Sequence, residues 1–229
     1  MKTEVVVKMF DMRQRIQFLV LSVLILIVDI GYAQYKKTDW EERDTWMNVP
    51  KIFKLAEINQ GNEVADVGCH EGYLTMHLAQ KVGELGKVYA VDVREDRLEK
   101  LDKYIDDRKL KNIETIVGDY DNPKLPNDTL DVVVVMDTYH EMDDYMKILG
   151  HIKKSLKPGG RIVIIEKFKE HMLNTSRAEQ TEKHTLSLNY VKQELQKAGF
   201  SISKEIKDFG KWKNESDKTI WILVGIHNN

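Results

Sequence analysis

The feature that most constrains this chain is a series of short apolar segments, each followed by an amphipathic stretch, between Val64 and Glu166. Val64–Val67, Val88–Val93, Ile113–Val117, Leu130–Met136 and Arg161–Glu166 have the length and β-branched content of strands. Between them apolar residues recur at helical spacing: Leu74, Leu78 and Val82; Leu98, Leu101 and Ile105; Tyr145, Leu149, Ile152 and Leu156. A strand that returns parallel to its neighbour needs a crossover, and a helix supplies it. Leu130–Met136 is nearly all apolar, which implies burial on both faces of the sheet. The chain then changes character. Val191, Leu195 and Ala198 mark a helix stopped by Gly199, and Ser201–Asp208 and Thr219–Ile226 read as the strands of a hairpin joined by the polar stretch Gly210–Lys218. The expectation is an α/β domain: a seven-stranded, mostly parallel sheet with helices on both faces and an antiparallel hairpin strand at the C-terminal end.

A length of 229 residues suits one such domain with a short extra segment. Ahead of the first strand, Asp39 and Glu42 form a helix-start signal, and Pro50 opens a second short helix through Ile58, giving a helical lead-in over 39–58 before a core over 60–229. Residues 1–33 stand apart. Arg13 and Arg15 precede the apolar run Phe18–Val28, and Gly31-Tyr32-Ala33 supplies a small-residue cleavage pattern. The run is shorter than the roughly 20 residues of a membrane span. The segment therefore reads as a signal peptide cleaved after Ala33, which exports the domain 34–229, or as an uncleaved anchor that associates with a membrane through 16–33. The net charge of −2 shows no basic excess, so no nucleic-acid partner is expected. Cys69 is the only cysteine, which excludes an intramolecular disulfide and a cysteine-based zinc site.

In a sheet of this kind ligands bind at the carboxyl ends of the strands. After the first strand comes Asp66-Val67-Gly68-Cys69-His70-Glu71-Gly72, where Gly68 permits close backbone approach and Gly72 starts the next helix tightly. The N–H groups of that helix can receive a carboxylate, and Asp66 can hold an ammonium group. Asp92 ends the second strand, some two dozen positions on, where an acidic residue can accept from both ribose hydroxyls. Gly118-Asp119 ends the third strand, and Asp137-Thr138-Tyr139-His140-Glu141 follows the fourth.

These residues, with Leu156-Lys157-Pro158-Gly159-Gly160-Arg161, stand in the order and spacing of class I S-adenosylmethionine-dependent methyltransferases. Over residues 60–166 the chain resembles that family. The resemblance implies a Rossmann-like fold with S-adenosylmethionine as cofactor. It sets Asp66, Gly68, Cys69, His70 and Gly72 around the methionine part, Asp92 and Val93 at the ribose, and Gly118 and Asp119 at the adenine. Asp137, Tyr139 and His140 would face the methyl donor and acceptor. One departure is His70, which stands where the family usually has a glycine. Asp66, Asp92 and Asp119 also have a plainer reading as turn caps, and Cys69 reads as a small packed residue before a nucleophile.

The acceptor side is less determined. If the acceptor must lose a proton, His140 and His184 are the candidate catalytic groups, the second because Thr181–Leu188 lies where the family often builds its acceptor pocket. The turn after strand four lacks the Pro-Pro-aromatic pattern of amide and exocyclic-amine methylation, and the fifth strand ends Glu166-Lys167, so no metal is expected. The stretch from Asp131 to Glu166 is most similar to small-molecule methyltransferases of quinone-biosynthesis type. Gly72-Tyr73-Leu74-Thr75 and Gly86-Lys87-Val88 are similar to protein-isoaspartate repair methyltransferases, without their substrate segments. A small-molecule methyl acceptor is the expectation. The alternatives are protein repair and an exported cofactor-binding protein without turnover. An NAD protein is disfavoured because the loop lacks Gly-x-Gly-x-x-Gly. Trp40 and Trp46 either lid the acceptor site or pack against the domain.

Overall fold

The computed structural model describes residues 39–213 and 215–228. The signal or anchor reading of residues 1–33 lies outside them. Among the described residues, no helix is long and apolar enough to cross a membrane. The chain divides after Thr45 into two units. Of the first, residues 39–44 form a short helix.

The second unit opens with α1 (Val49–Ala56), where the Asn48 side chain accepts from the Lys51 N–H and Pro50 occupies the first turn, its missing donor costing nothing there. Then come β1 (Glu63–Val67), α2 (Tyr73–Val82), β2 (Lys87–Asp92), α3 (Glu95–Arg108), β3 (Ile113–Val117) and β4 (Leu130–Met136). A 3₁₀ turn at Tyr139–Glu141 leads to α4 (Tyr145–Ser155) and β5 (Leu156–Lys169). The chain ends with α5 (Arg177–Glu182), α6 (Leu188–Lys197), β6 (Phe200–Trp212) and β7 (Glu215–His227).

The seven strands lie in the order β3-β2-β1-β4-β5-β7-β6, with β7 antiparallel to both β5 and β6 and the other pairs parallel. The chain winds outward from β1 through β2 to β3, then restarts at β4 on the other side of β1. Strand order reverses at that point, between β1 and β4, and in sheets of this kind the crevice outside the carboxyl ends there is where ligands bind. Alternate residues face opposite ways. Ala65, Val67, Val133, Val135, Ile162, Ile164, Trp221 and Leu223 pack with Leu149 and Ile152 of α4 and Val191 and Leu195 of α6. On the other face Ala90 packs with Leu98 and Leu101 of α3.

Two boundaries differ from the sequence reading. Leu156 has helical spacing, yet α4 stops at Ser155 and Leu156 begins β5. Pro158 lies two residues on and biases the chain toward extended backbone. The strand expected from Arg161 thus starts five residues earlier, and Pro158-Gly159-Gly160 form a bulge within it, between the pairs Leu130–Leu156 and Val132–Arg161. The hairpin strands also run several residues past Asp208 and begin before Thr219. Most of the polar stretch Gly210–Lys218 thus belongs to the end of β6, the outermost strand, and to the start of β7, not to a loop.

Candidate active site

The loop after β1 is shaped by two glycines with φ of +77° at Gly68 and +91° at Gly72, a region that favours glycine. Neither could carry a side chain. A Cβ on Gly68 would fall 2.3 Å from Thr138 Cγ2, and one on Gly72 2.3 Å from Leu101 Cδ1. Both closures serve the crevice: Thr138 comes from the end of β4, and Leu101 holds α3 against α2. The Gly68 and Cys69 N–H groups donate to Val91 O at 2.8 and 3.0 Å, which fastens the loop to β2. His70 takes φ of +52°, so its backbone adopts the left-handed conformation although it is not glycine. Its side chain is exposed, and its N–H donates to Asp92 Oδ2 at 2.8 Å.

Asp66 is buried, and Thr75 in the first turn of α2 donates its hydroxyl to Asp66 Oδ2 at 2.6 Å. Asp92 also accepts from the Arg94 N–H at 2.9 Å through Oδ1, so each oxygen takes one backbone N–H and keeps a second lone-pair direction. Val93 lies just beyond β2 and is exposed. Gly118 is buried, and its N–H donates to Asp92 O at 3.0 Å, tying the end of β3 to that of β2. Asp119 is exposed and pairs with Lys124 at 2.8 Å. Cys69 is buried; burial, with the charges of Asp66 and Asp92, pushes its thiol well above the ordinary range, which opposes a nucleophilic role.

Beyond β4 the residues part ways. Tyr139, expected at the methyl donor, is wholly enclosed in the core, and its hydroxyl donates to Glu194 of α6 at 2.9 Å. The 3₁₀ turn rotates it inward. Asp137, at φ of +57°, pairs with Lys167 at 3.0 Å. Its carboxyl is raised by burial and by the neighbouring charge of Glu166. His140 is buried beside Glu166, which accepts from the ring Nδ1 at 3.0 Å and from the His140 backbone N–H at 3.1 Å. Burial works against the protonated ring, but the Glu166 hydrogen bond and charge, with Asp137 and Glu141, outweigh it and raise the histidine. The His184 ring stands 5.6 Å from that of His140, edge to face. Thus the two histidines, far apart in sequence, meet at the carboxyl ends of β4 and β5.

Sequence reasoning missed Glu166 and Thr75 as working residues. The signal for Glu166 was present: a carboxylate closing the apolar run Ile162–Ile165, where a buried charge needs a partner. Thr75 gave none. Glu71, also buried, serves the scaffold, pairing with Lys100 of α3 at 2.9 Å. Trp46 packs edge-on against Trp212 of the hairpin, ring centres 5.1 Å apart, with Lys167 Nζ 4.4 Å from the Trp212 centroid. The recess lined by Asp131, Lys157 and Arg161 lies at the amino ends of β4 and β5, the opposite edge from the crevice.

A family profile described as a methyltransferase domain matches residues 58–219. The demethylmenaquinone methyltransferase of Bacillus mycoides (strain KBAB4) is 26% identical over 169 residues, covering 74% of this chain and 68% of the relative. That of Geobacillus sp. (strain WCH70) is 31% identical over 113 residues, so the chain spans about half of that relative's length (48%) and the match covers 49% of the chain. Among solved structures, a SAM-dependent methyltransferase from Aquifex aeolicus aligns with a TM-score of 0.70 at 26% identity, covering 85% of this chain and 97% of that one. The glycine loop, the carboxylates at successive strand ends and these likenesses agree: the chain belongs to the methyltransferase domain family, as a class I S-adenosylmethionine-dependent enzyme.

Proposed function

We propose that this enzyme methylates a small-molecule acceptor bound at the carboxyl ends of β4 and β5, against His140 and His184. The observation that carries this reading is the meeting of those two rings over the buried Glu166, beside the Gly68 loop that Thr138 closes. Bound S-adenosylmethionine supplies an electrophilic methyl on a sulfonium. The residues fit it: α2 begins at a glycine and would offer first-turn N–H groups to a carboxylate, Asp66 would take an ammonium group, and Asp92 keeps lone pairs for two hydroxyls. Gly118 and Asp119 would flank the adenine. The chain's own work is to hold acceptor oxygen, nitrogen or carbon in line with the methyl, and to promote loss of the acceptor's proton at or before attack. His140, oriented by Glu166, and His184 serve that second task.

The relatives named for demethylmenaquinone support a ring-shaped acceptor more than a protein. We further propose that residues 1–33 direct the domain 34–229 across a membrane with cleavage after Ala33. Gln34 as the mature N-terminus supports this, and a retained Met1 overturns it. For the acceptor, methyl-labelled cofactor is incubated with the enzyme and a cell extract. Label is expected in a new low-molecular-weight product separated from the cofactor by chromatography; transfer to protein alone would instead favour the isoaspartate-repair alternative.

A further inference from the structure

We propose that His140, Glu141 and His184 form a binding site for a divalent transition-metal ion of the zinc, iron(II) or cobalt(II) class. The ring nitrogens of the two histidines and the Glu141 carboxylate offer three donor atoms within 4.8 Å of one another. Spacing alone would be weak; the surroundings add two independent features. The first is Glu166. A ligating histidine normally donates its other ring N–H to a carboxylate or carbonyl, which fixes the tautomer and aims the free nitrogen. Glu166 is buried and does this for His140, accepting from Nδ1 at 3.0 Å and from the backbone N–H at 3.1 Å. Nε2 is left for a ligand, and Glu141 Oε1 lies 3.8 Å from it, outside hydrogen-bond reach.

The second feature is how His184 is held. It takes φ of +47°, and its carbonyl accepts from Lys218 Nζ at 2.8 Å. The next two residues are fastened to the end of β5: Thr185 Oγ1 donates to Lys167 O at 3.0 Å and the Leu186 N–H donates to the same carbonyl at 3.1 Å. A surface histidine needs no such framework, whereas a ligand brought from a separate segment does. The charge also agrees. Glu141 and Glu166 flank the His140 ring, and the nearby Lys167 is taken up by Asp137 rather than pointing a cation at the cluster.

Two imidazoles and one carboxylate select borderline ions over magnesium or calcium, which prefer oxygen ligands. Three protein ligands leave open positions, as in catalytic sites. The second grouping nearby, Asp137, His140 and Glu166, would require breaking both the Glu166–Nδ1 bond and the Asp137–Lys167 pair, so it is the poorer site. A bound ion would act on the acceptor: a coordinated hydroxyl loses its proton to water more readily, and its oxygen lone pair then takes the methyl as the carbon–sulfur bond breaks. That catalytic role rests on the acceptor reading above; the binding of the ion does not.

The test uses tag-free full-length protein stripped with chelator, titrated with cobalt(II) by visible absorption and with zinc by calorimetry. Binding of S-adenosylhomocysteine is measured on the same samples. One ion per chain is expected, with affinity lost in His184→Ala and Glu141→Ala and reduced by roughly 10–100-fold in Glu166→Gln, which keeps all three donors. His184 and Glu141 are exposed, so these two variants test the site without removing buried groups. Absence of stoichiometric binding, or binding unmoved by His184→Ala, overturns the metal site. If S-adenosylhomocysteine still binds in that case, the methyltransferase reading stands. If the ion binds and S-adenosylhomocysteine does not, the metal site stands and the cofactor reading falls.

Discussion

A single methyl group at Gly68 would meet Thr138 and leave a non-glycine residue at φ of +77°. Gly68→Ala is therefore expected to cost about 1–3 kcal/mol of stability and to weaken S-adenosylhomocysteine binding. Chemical denaturation and cofactor titration check this, and an unchanged titration would show that the loop does not shape the site. The role of Gly68 was legible in the sequence, because a glycine directly after a buried strand has few other reasons to be there. The tolerance of His70 was not. Its left-handed backbone is held by the N–H bond to Asp92, a residue 22 positions away, so the departure from glycine is accommodated by a contact no local pattern shows. His70→Gly removes that backbone strain and is expected to stabilise the fold by about 0.5–1 kcal/mol, read as a higher urea midpoint.

At the level of elements, α2 does more than cross over between β1 and β2. Its first turn brings Thr75 onto Asp66, the last polar group before the loop. Removing that hydroxyl leaves a buried carboxylate short of a partner. Thr75→Val keeps the shape and is expected to lose about 1.5–3 kcal/mol, together with cofactor affinity. A stability loss without any change in cofactor binding would mean that Asp66 serves the fold alone. The strands and helices that carry this site were visible as apolar periodicity. Their ends were less so: Leu156 has the spacing of α4, but Pro158 and pairing with Leu130 claim it for β5. Likewise the polar residues of β6 look like a loop until the strand is seen at the sheet edge, where one face meets water.

Across the whole molecule, Tyr139, Glu194 and Arg177 join the loop after β4 to α6 and α5. Tyr139 donates to Glu194 at 2.9 Å, Arg177 pairs with the same carboxylate at 2.8 Å, and the Arg177 guanidinium lies 3.9 Å from the Tyr145 ring centroid. Burial raises the Glu194 carboxyl above its ordinary 4.5, and Arg177 and Tyr139 offset only part of this. A carboxyl raised on folding stabilises most when protonated. Its contribution is complete below 4.5 and is lost as pH rises through the raised value. Glu194→Gln, which can still accept from Tyr139, should flatten that dependence. The difference in urea midpoint between wild type and variant is expected to change in the mildly acidic range above 4.5, and a constant difference would refute the assignment.

By itself the sequence determined the α/β class, the binding edge of the sheet, and the glycines and carboxylates that stand at the first three strand ends. Those follow from local causes: apolar period, glycine conformation and the placement of carboxylates just after strands. The tertiary structure decided which residues beyond β4 are enclosed in the core and which meet at the carboxyl edge of the sheet. It buried Tyr139 against α6 and brought His184, 44 positions on, to His140 over Glu166. That outcome depends on a 3₁₀ turn and on backbone bonds between residues 184–186 and the end of β5, contacts between segments whose separate sequences carry no mark of each other.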